Sequence, residues 1–551
     1  MKLTRRLVVG GLSAGLAGAL TVPVFRRARQ HRGAEPRRQY NVLFIIADDM
    51  RPELGAYGNQ IIKTPNIDKL ASWGVRFDAA YCQFPLCGPS RTSMLTGRYP
   101  SQTGVLDNGT WFGAAHPDFV SLPKYFKQQG YVTLRTGKVF HAGIDGNGVN
   151  WGVDDTEAWS VGGIPRDPSY GTSTSGNSKP TAKTAFWSYL ARIYLALRGS
   201  PPTPQVPCDT APSTEPGSAK STFEGAAKTT VQAGNLDDSR RDSGTDPATP
   251  TVTSAPQSVA EQQSDRIVVL EGNGEEHEDY GYATRAIELL EKYKDKPFFL
   301  AVGFIKPHSP PTAPRKMIEM YDATKIPLPV DFAPRPQAPC GFPAQSIDSG
   351  NGDLFVRRDA SEQEAREMIR AYYAAITFTD ANVGRVLDEL ERLKLRERTI
   401  IVFCADHGYH LGEKGKWSKH NSLFEVGTRI PLLIVLPGAK GNGQASPRVV
   451  ESVDLYPTLT DLAGLPLPAG LVGQSLRPLL DSPKAKWSRP AHTLTGSYAK
   501  AVAVRTERWR YAEWPDGSAM LIDRTRDPHE LKNLANDPAH AETVAKMKRL
   551  L

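Results

Sequence analysis

The sequence predicts an α/β protein, a sandwich around a mostly parallel central sheet, followed by a small antiparallel subdomain. Three observations predict it. Apolar runs of strand length alternate with amphipathic stretches of helical period between Tyr40 and Leu436. Two of those runs, NVLFIIA and TIIVFCA, end in the pairs Asp48-Asp49 and Asp406-His407. Past Pro437 the pattern changes to short strands separated by turn residues. A chain of 551 residues is long enough for a large core and a second, smaller domain.

Taken in order, the strand candidates are Tyr40–Ala47, Tyr131–Thr136, Pro297–Phe304, Thr399–Ala405 and Pro431–Leu436. Helical period marks Asn66–Trp73, Tyr280–Tyr293 and the long stretch Ser361–Leu393. In the last of these, Met368, Tyr372, Ala375, Ile376 and Thr379 share one face, which is expected to pack in the core. A short helix at Val453–Ala463 is followed by strands at His492–Gly496, Ala501–Arg505 and Met520–Asp523. The catalytic domain is expected over 39–440, and 441–551 form the C-terminal subdomain. Residues 199–265 are rich in Pro, Ser, Thr and Gly, with Phe223 the sole aromatic, and are expected to be a disordered insertion.

The formal charge of +8 is confined to the N-terminus. Nine Lys/Arg and one Glu lie in the first 38 residues, which leaves 58 residues of each sign in the rest of the chain. A formally neutral body gives no ground for nucleic-acid binding. Lys2-Leu-Thr-Arg-Arg6, followed by a Gly/Ala-rich apolar run with a small-residue A-G-A at Ala17–Ala19, resembles a twin-arginine export signal. Residues 1–38 are therefore expected to direct export, to the periplasm or outside the cell. An uncleaved membrane anchor is the alternative, since the run is about long enough to span a bilayer. The five widely spaced cysteines (82, 87, 208, 340, 404) make no disulfide framework, and their odd number leaves at least one unpaired or altered.

Ligands in open α/β sheets bind beyond the carboxyl ends of the strands. If the two acidic strand ends are parallel neighbours, Asp48, Asp49, Asp406 and His407 converge. One such Asp alone reads as a helix cap or turn residue. Three carboxylates in one place repel one another unless a cation or proton holds them, so the pair of strand ends points to a metal. Oxygen-rich ligation favours Ca²⁺ or Mg²⁺, and the imidazole leaves Zn²⁺ and Mn²⁺ open.

The stretch CGPSRTSMLTGR, Cys87 to Arg98, poses the other chemical question. A phosphatase-type thiolate loop would need Arg at position 93, where the chain has Ser. A bridge between Cys82 and Cys87 is conceivable but leaves Ser90-Arg91 and Leu-Thr-Gly-Arg98 unexplained. The pattern C-x-P-S-R-x-x-x-L-T-G-R resembles the signature of the sulfatase family, complete from Cys87 to Arg98. Gly137-Lys-Val-Phe-His141, Lys306-Pro-His308 and Trp417-Ser-Lys419 are similar to segments of the iduronate-2-sulfatase branch, as is His407 after Asp406.

This resemblance implies the alkaline-phosphatase-like fold and hydrolysis of a sulfate monoester on a sulfated carbohydrate or small sulfate ester. It implies conversion of Cys87 to formylglycine by a maturation enzyme, and one Ca²⁺ held by Asp48, Asp49, Asp406 and His407. The aldehyde hydrate would attack sulfur and expel the alcohol. Arg91, Lys138 and Lys419 would neutralise the sulfate and orient the hydrate, His308 would protonate the leaving oxygen, and His141 would take the second hydroxyl proton. Two rivals share the scaffold: a phosphate or phosphonate monoester hydrolase, and a carbohydrate-binding relative without activity. Relative rates on aryl sulfate and aryl phosphate separate the first.

Overall fold

A computed structural model describes residues 39–144, 150–165, 265–496 and 501–551. The expected N-terminal signal lies outside the described residues, as does the expected insertion except for Asp265. No described helix is long and apolar enough to cross a membrane. Residues Gln39–Leu551 form one compact unit.

The large sheet has eight strands: β1 (Asn41–Asp48), β2 (Val75–Tyr81), β3 (Val132–Gly137), β4 (Phe298–Pro307), β5 (Thr399–Ala405), β6 (Arg429–Ile430), β7 (Leu432–Val435) and β8 (Ala445–Glu451). Their order is β6-β2-β7-β5-β1-β4-β3, with β8 paired to β2. The pairs β1–β4, β1–β5, β3–β4 and β2–β8 are parallel, whereas β6 and β7 run antiparallel to their partners. β1 and β5 are buried along their whole length, which is why both read as continuous apolar runs rather than alternating ones. A second sheet of four antiparallel strands follows in sequence order: β9 (Ala491–Thr495), β10 (Ala501–Arg505), β11 (Trp509–Glu513) and β12 (Ala519–Asp523). β8 keeps the chain in the large sheet beyond position 440 before it enters the small one.

Five helices matter for the site: α1 (Pro65–Trp73), α2 (Cys87–Thr96), α3 (Glu278–Tyr293), α4 (Glu362–Arg392) and α5 (Leu455–Leu462). α4 starts with a capping box, in which Ser361 and Glu364 satisfy each other's backbone N–H groups. The stripe of Met368, Tyr372, Ala375, Ile376 and Thr379 is buried, as its spacing predicts. α2 is different, since all ten of its residues are buried. With no solvent face it has no amphipathic period, and its Gly, Pro, Ser and Thr content gives no helical signal.

The wide cysteine spacing needs one correction. Cys82, Cys87 and Cys404 are free and buried, but Cys340 is disulfide-bonded. A bridge depends on which loops meet in space, not on separation along the chain. Cys208 lies outside the described residues.

The register of the parallel strands builds the site. Ala47 of β1 is opposite Ala405 of β5, Asp48 is opposite Pro307 of β4, and Gly137 of β3 is opposite Gly303 of β4. The residues following these points are Asp49, Asp406, His308 and Lys138, so four adjacent strands deliver them to one edge. Two glycines make the β3–β4 contact possible. A Cβ on Gly303 would lie 1.9 Å from the Lys138 carbonyl oxygen, and one on Gly137, at φ +72°, would lie 2.0 Å from the Gly303 carbonyl. Gly303→Ala is therefore expected to force the strand ends apart, costing about 3 kcal/mol of stability, and to lower activity by displacing Lys138. Thermal unfolding and turnover on an aryl sulfate check this, and a variant matching the parent in both would contradict it.

Candidate active site

Asp48 is the last residue of β1 and Asp49 the first beyond it, both fully buried. Asp49 holds a left-handed backbone at φ 60°, uncommon for a residue with a side chain. Its surroundings impose that turn. The Asp49 N–H donates to Asp406 Oδ1 at 3.2 Å, and the Tyr372 hydroxyl donates to the Asp49 carbonyl at 2.6 Å. The two carboxylates thus leave the strand in different directions around one centre.

Cys87 opens α2 with its thiol 3.3 Å from Asp48 Oδ1 and 3.4 Å from His407 Nε2. Burial, followed by the charge of Asp48, pushes this thiol well above its usual range, so it stays protonated. One turn on, Arg91 is fully buried. It donates from Nε to Asp406 Oδ2 at 2.8 Å, lies 3.4 Å from Asp48 Oδ1, and bonds the Lys138 and Val139 carbonyls. Ser90 donates to the Asp406 carbonyl oxygen. α2 is in this way tied to β5 and to the end of β3 by its Ser-Arg pair.

Lys138 pairs with Asp48 Oδ2. Burial would lower its pKa, but the Asp48 and Cys87 interactions outweigh that and raise it. Asp48 behaves in the complementary way. Burial favours its neutral form, yet Lys138 and Arg91 hold it well below the ordinary carboxylate range. Lys419 Nζ sits 2.9 Å from Asp49 Oδ2, 3.1 Å from His308 Nε2 and 3.3 Å from Asp353 Oδ2. Against its burial, Asp353 and Asp49 hold this ammonium well above its usual pKa. His308 Nδ1–H donates to the Ser309 carbonyl at 2.7 Å, which leaves Nε2 as the nitrogen facing Lys419. Burial and the Lys419 charge favour its neutral form.

Three of the four candidate metal ligands group together with Cys87, and Asp49 groups instead with Cys87 and His308. Ligand atoms of Asp48, Cys87, Asp406 and His407 all lie within 4.8 Å of one another. His407 donates from Nδ1 to the Gly408 carbonyl at 3.0 Å, so its Nε2 lone pair faces Asp406 Oδ2 at 3.5 Å. Asp406 Oδ2 already accepts from Arg91 Nε, and its remaining lone pair and the imidazole lone pair together offer a cation two donors. Asp49 Oδ1 is buried and accepts no hydrogen bond, and burial lifts this carboxyl to about 6. Three oxygen donors and one imidazole suit a hard divalent ion.

All ten residues singled out from the sequence meet here, nine of them linked by the contacts above. His141 joins through Trp151, whose ring it meets edge-on at 5.4 Å and over which Lys138 also lies, at 5.7 Å. Its Nδ1 is buried without a hydrogen-bond partner, and burial with the nearby Lys138 charge keeps it neutral. Asp353 and Tyr372 escape sequence reasoning. Asp353 comes from a loop without periodicity, held by Asn351, which bonds the Gly415 carbonyl and the Trp417 N–H. Tyr372 lies on the apolar stripe of α4. The available signal was that a buried Tyr hydroxyl needs a partner.

The profile of the Sulfatase family matches residues 40–465, and that of the N-sulphoglucosamine sulphohydrolase C-terminal region matches residues 412–551. Iduronate 2-sulfatase of Mus musculus is 32% identical over 466 residues, 78% of this chain and 69% of that protein. Phosphonate monoester hydrolase of Agrobacterium radiobacter superposes with a TM-score of 0.63 at 21% identity, covering 93% of this chain and 94% of that one. A structure in complex with its substrate D-glucosamine-2-N,6-O-disulfate gives 0.60 at 20% identity, covering 93% and 97%. These superpositions establish a shared fold, the alkaline-phosphatase-like one.

Proposed function

The chain belongs to the sulfatase family and is a sulfuric ester hydrolase; from that premise we propose that it cleaves a sulfate monoester borne on a sugar, using formylglycine at position 87 and one Ca²⁺. The observation that carries this reading is the position of Cys87. Its side chain lies within 3.4 Å of both Asp48 and His407, at the start of a buried helix that carries the complete C-x-P-S-R signature. A sugar substrate is supported by iduronate 2-sulfatase among the relatives and by the bound disulfated glucosamine of the structural neighbour. Residues 1–38 would direct export, and the catalytic domain, expected over 39–440, would extend through β8 before the C-terminal subdomain begins.

Asp48, Asp49, Asp406 and His407 would hold the ion, which would supply positive charge against the non-bridging oxygens of the sulfate. The hydrate of formylglycine would supply the attacking hydroxyl, and a second hydroxyl whose deprotonation releases sulfate. The remaining work falls to side chains. Lys138, paired with Asp48, and Lys419, paired with Asp49, neutralise the developing charge on sulfur's oxygens. Arg91 fixes the angle between α2 and Asp406, and so aims residue 87. Lys419 Nζ, 3.1 Å away, gives a proton to the lone pair of His308 Nε2, and His308 relays it to the leaving oxygen. His141, neutral and with Nδ1 unpartnered, takes the proton from the second hydroxyl.

The test is the mass of the peptide spanning residue 87, from protein made in a host with the maturation enzyme. The expected mass is that of the aldehyde, with sulfate release from sulfated monosaccharides. An intact thiol in an active preparation would overturn the formylglycine reading. Because the fold is shared with a phosphonate monoester hydrolase, rates on 4-nitrophenyl sulfate should be set beside those on a phenylphosphonate monoester. A strong preference for the sulfate is expected.

A further inference from the structure

His308 stands in a segment that secondary structure does not hold. β4 ends at Pro307, and Pro310 and Pro311 follow two residues later. Prolines have no N–H, so this stretch has few donors of its own and its carbonyls need partners from elsewhere. The His308 side chain is 28% exposed, so packing alone does not immobilise it.

The partner is Lys306. Its ammonium donates to the His308 carbonyl at 2.8 Å and to the Pro310 carbonyl at 3.0 Å, tying down the chain at the histidine and just after it. Lys306 is itself only 4% exposed, and no carboxylate pairs with it among the described residues. A buried ammonium without a counter-ion is costly, and the two carbonyls are what it has in return. Its own backbone is fixed on both sides. Asp279, fully buried in the first turn of α3, accepts the Ile305 N–H at 2.7 Å and the Lys306 N–H at 2.9 Å. Thr379 of α4 donates to the Lys306 carbonyl at 3.1 Å. The His308 N–H closes back on the Ile305 carbonyl at 3.0 Å.

We propose that Lys306, seated by Asp279, is a positioning residue: its ammonium clamps the backbone at His308 and two residues beyond it, and so aims Nε2 at the leaving oxygen. Lys306 touches neither sulfate nor alcohol. This rests on the reading above that His308 protonates the leaving group.

A series of substituted phenyl sulfates tests it, from 4-nitrophenyl sulfate, whose anion leaves unaided, to phenyl sulfate, which needs a proton. Lys306→Met keeps the length of the side chain without its donors. It is expected to change kcat on 4-nitrophenyl sulfate by less than about threefold, and to lower kcat on phenyl sulfate by about 30-fold or more, within the range of lost general-acid catalysis. His308→Gln, measured in parallel, should show the same split more strongly. If Lys306→Met slows both substrates equally, or neither, while His308→Gln keeps the split, Lys306 does not position the acid and the proposal falls alone. If His308→Gln shows no split, the assignment of His308 falls, and the proposal with it. Should Lys306→Met fail to fold, Asp279→Asn is judged by the same criterion.

Discussion

Replacing Cys87 with alanine is expected to lower kcat/KM for sulfate-ester hydrolysis by about 10⁴-fold or more while leaving the fold intact, since on the proposed reading residue 87 supplies the attacking group. The side chain is small and buried, and its loss breaks no ion pair, so the expected destabilisation is about 1 kcal/mol. Arg91, Lys138 and Lys419 keep their carboxylate partners in the variant. Binding of sulfate esters should therefore persist when turnover is gone. Turnover and thermal unfolding of the same preparation settle the point. A variant keeping more than a hundredth of the parent's activity would remove residue 87 from the chemistry.

The second large effect belongs to Asp48. Its carboxylate faces Lys138, Arg91 and the Cys87 thiol, with no exposure to solvent. Asp48→Asn keeps the shape but leaves two buried cations short of a counter-charge. Removing one partner of a buried pair is strongly destabilising, here by about 3 kcal/mol. Because the folded carboxyl lies well below the usual range, its contribution is present at neutral pH. It is lost only as the pH falls below that range toward the depressed value. Activity should drop at least about 10³-fold. Added Ca²⁺ should raise the unfolding temperature of the parent, because an ion that binds only the folded chain stabilises it, and should do so far less for the variant. Equal Ca²⁺ shifts in both would take Asp48 out of the metal site.

Which parts of this were legible in the sequence follows a physical rule. β1, β4 and β5 were readable because strands buried on both faces are uninterrupted apolar runs, and Ala501–Arg505 matches its expected span. β2, with Arg76 and Asp78 among its apolar residues, and Trp509–Glu513, with Arg510 and Glu513, carry too many charges to announce strands. Arg510 is nonetheless buried, because Glu425 and Glu530 meet its guanidinium. That pairing draws on segments that no local pattern connects. The antiparallel direction of β7 was equally hidden, since direction is a property of the connection rather than of the strand.

The site divides in the same way. The two acidic strand ends can be placed together from the pattern of the strands, whereas Arg91, Lys138, His141, His308 and Lys419 are placed by the resemblance of their segments, and both sets lie together. Asp353 reaches Lys419 only because Asn351 pins its loop to the Gly415–Trp417 segment. Tyr372 was readable as core and is core. What the periodicity does not carry is that its hydroxyl holds the turn at Asp49.

The complete burial of α2 has a consequence for when, rather than how, the site is made. Cys87 is 1% exposed, and the residues around it in the signature are closed off as well. An enzyme that must grip this stretch and reach its sulfur has no access once the helix has packed. If residue 87 is converted as proposed, conversion belongs to the nascent chain and precedes folding. An export route that carries folded proteins would then require it to precede departure from the cytoplasm too. On that reading a molecule that folds unconverted would be committed to inactivity, and no later encounter with the converting enzyme would repair it. Protein folded without that enzyme and exposed to it afterwards should stay inactive, whereas the same chain converted before folding should not.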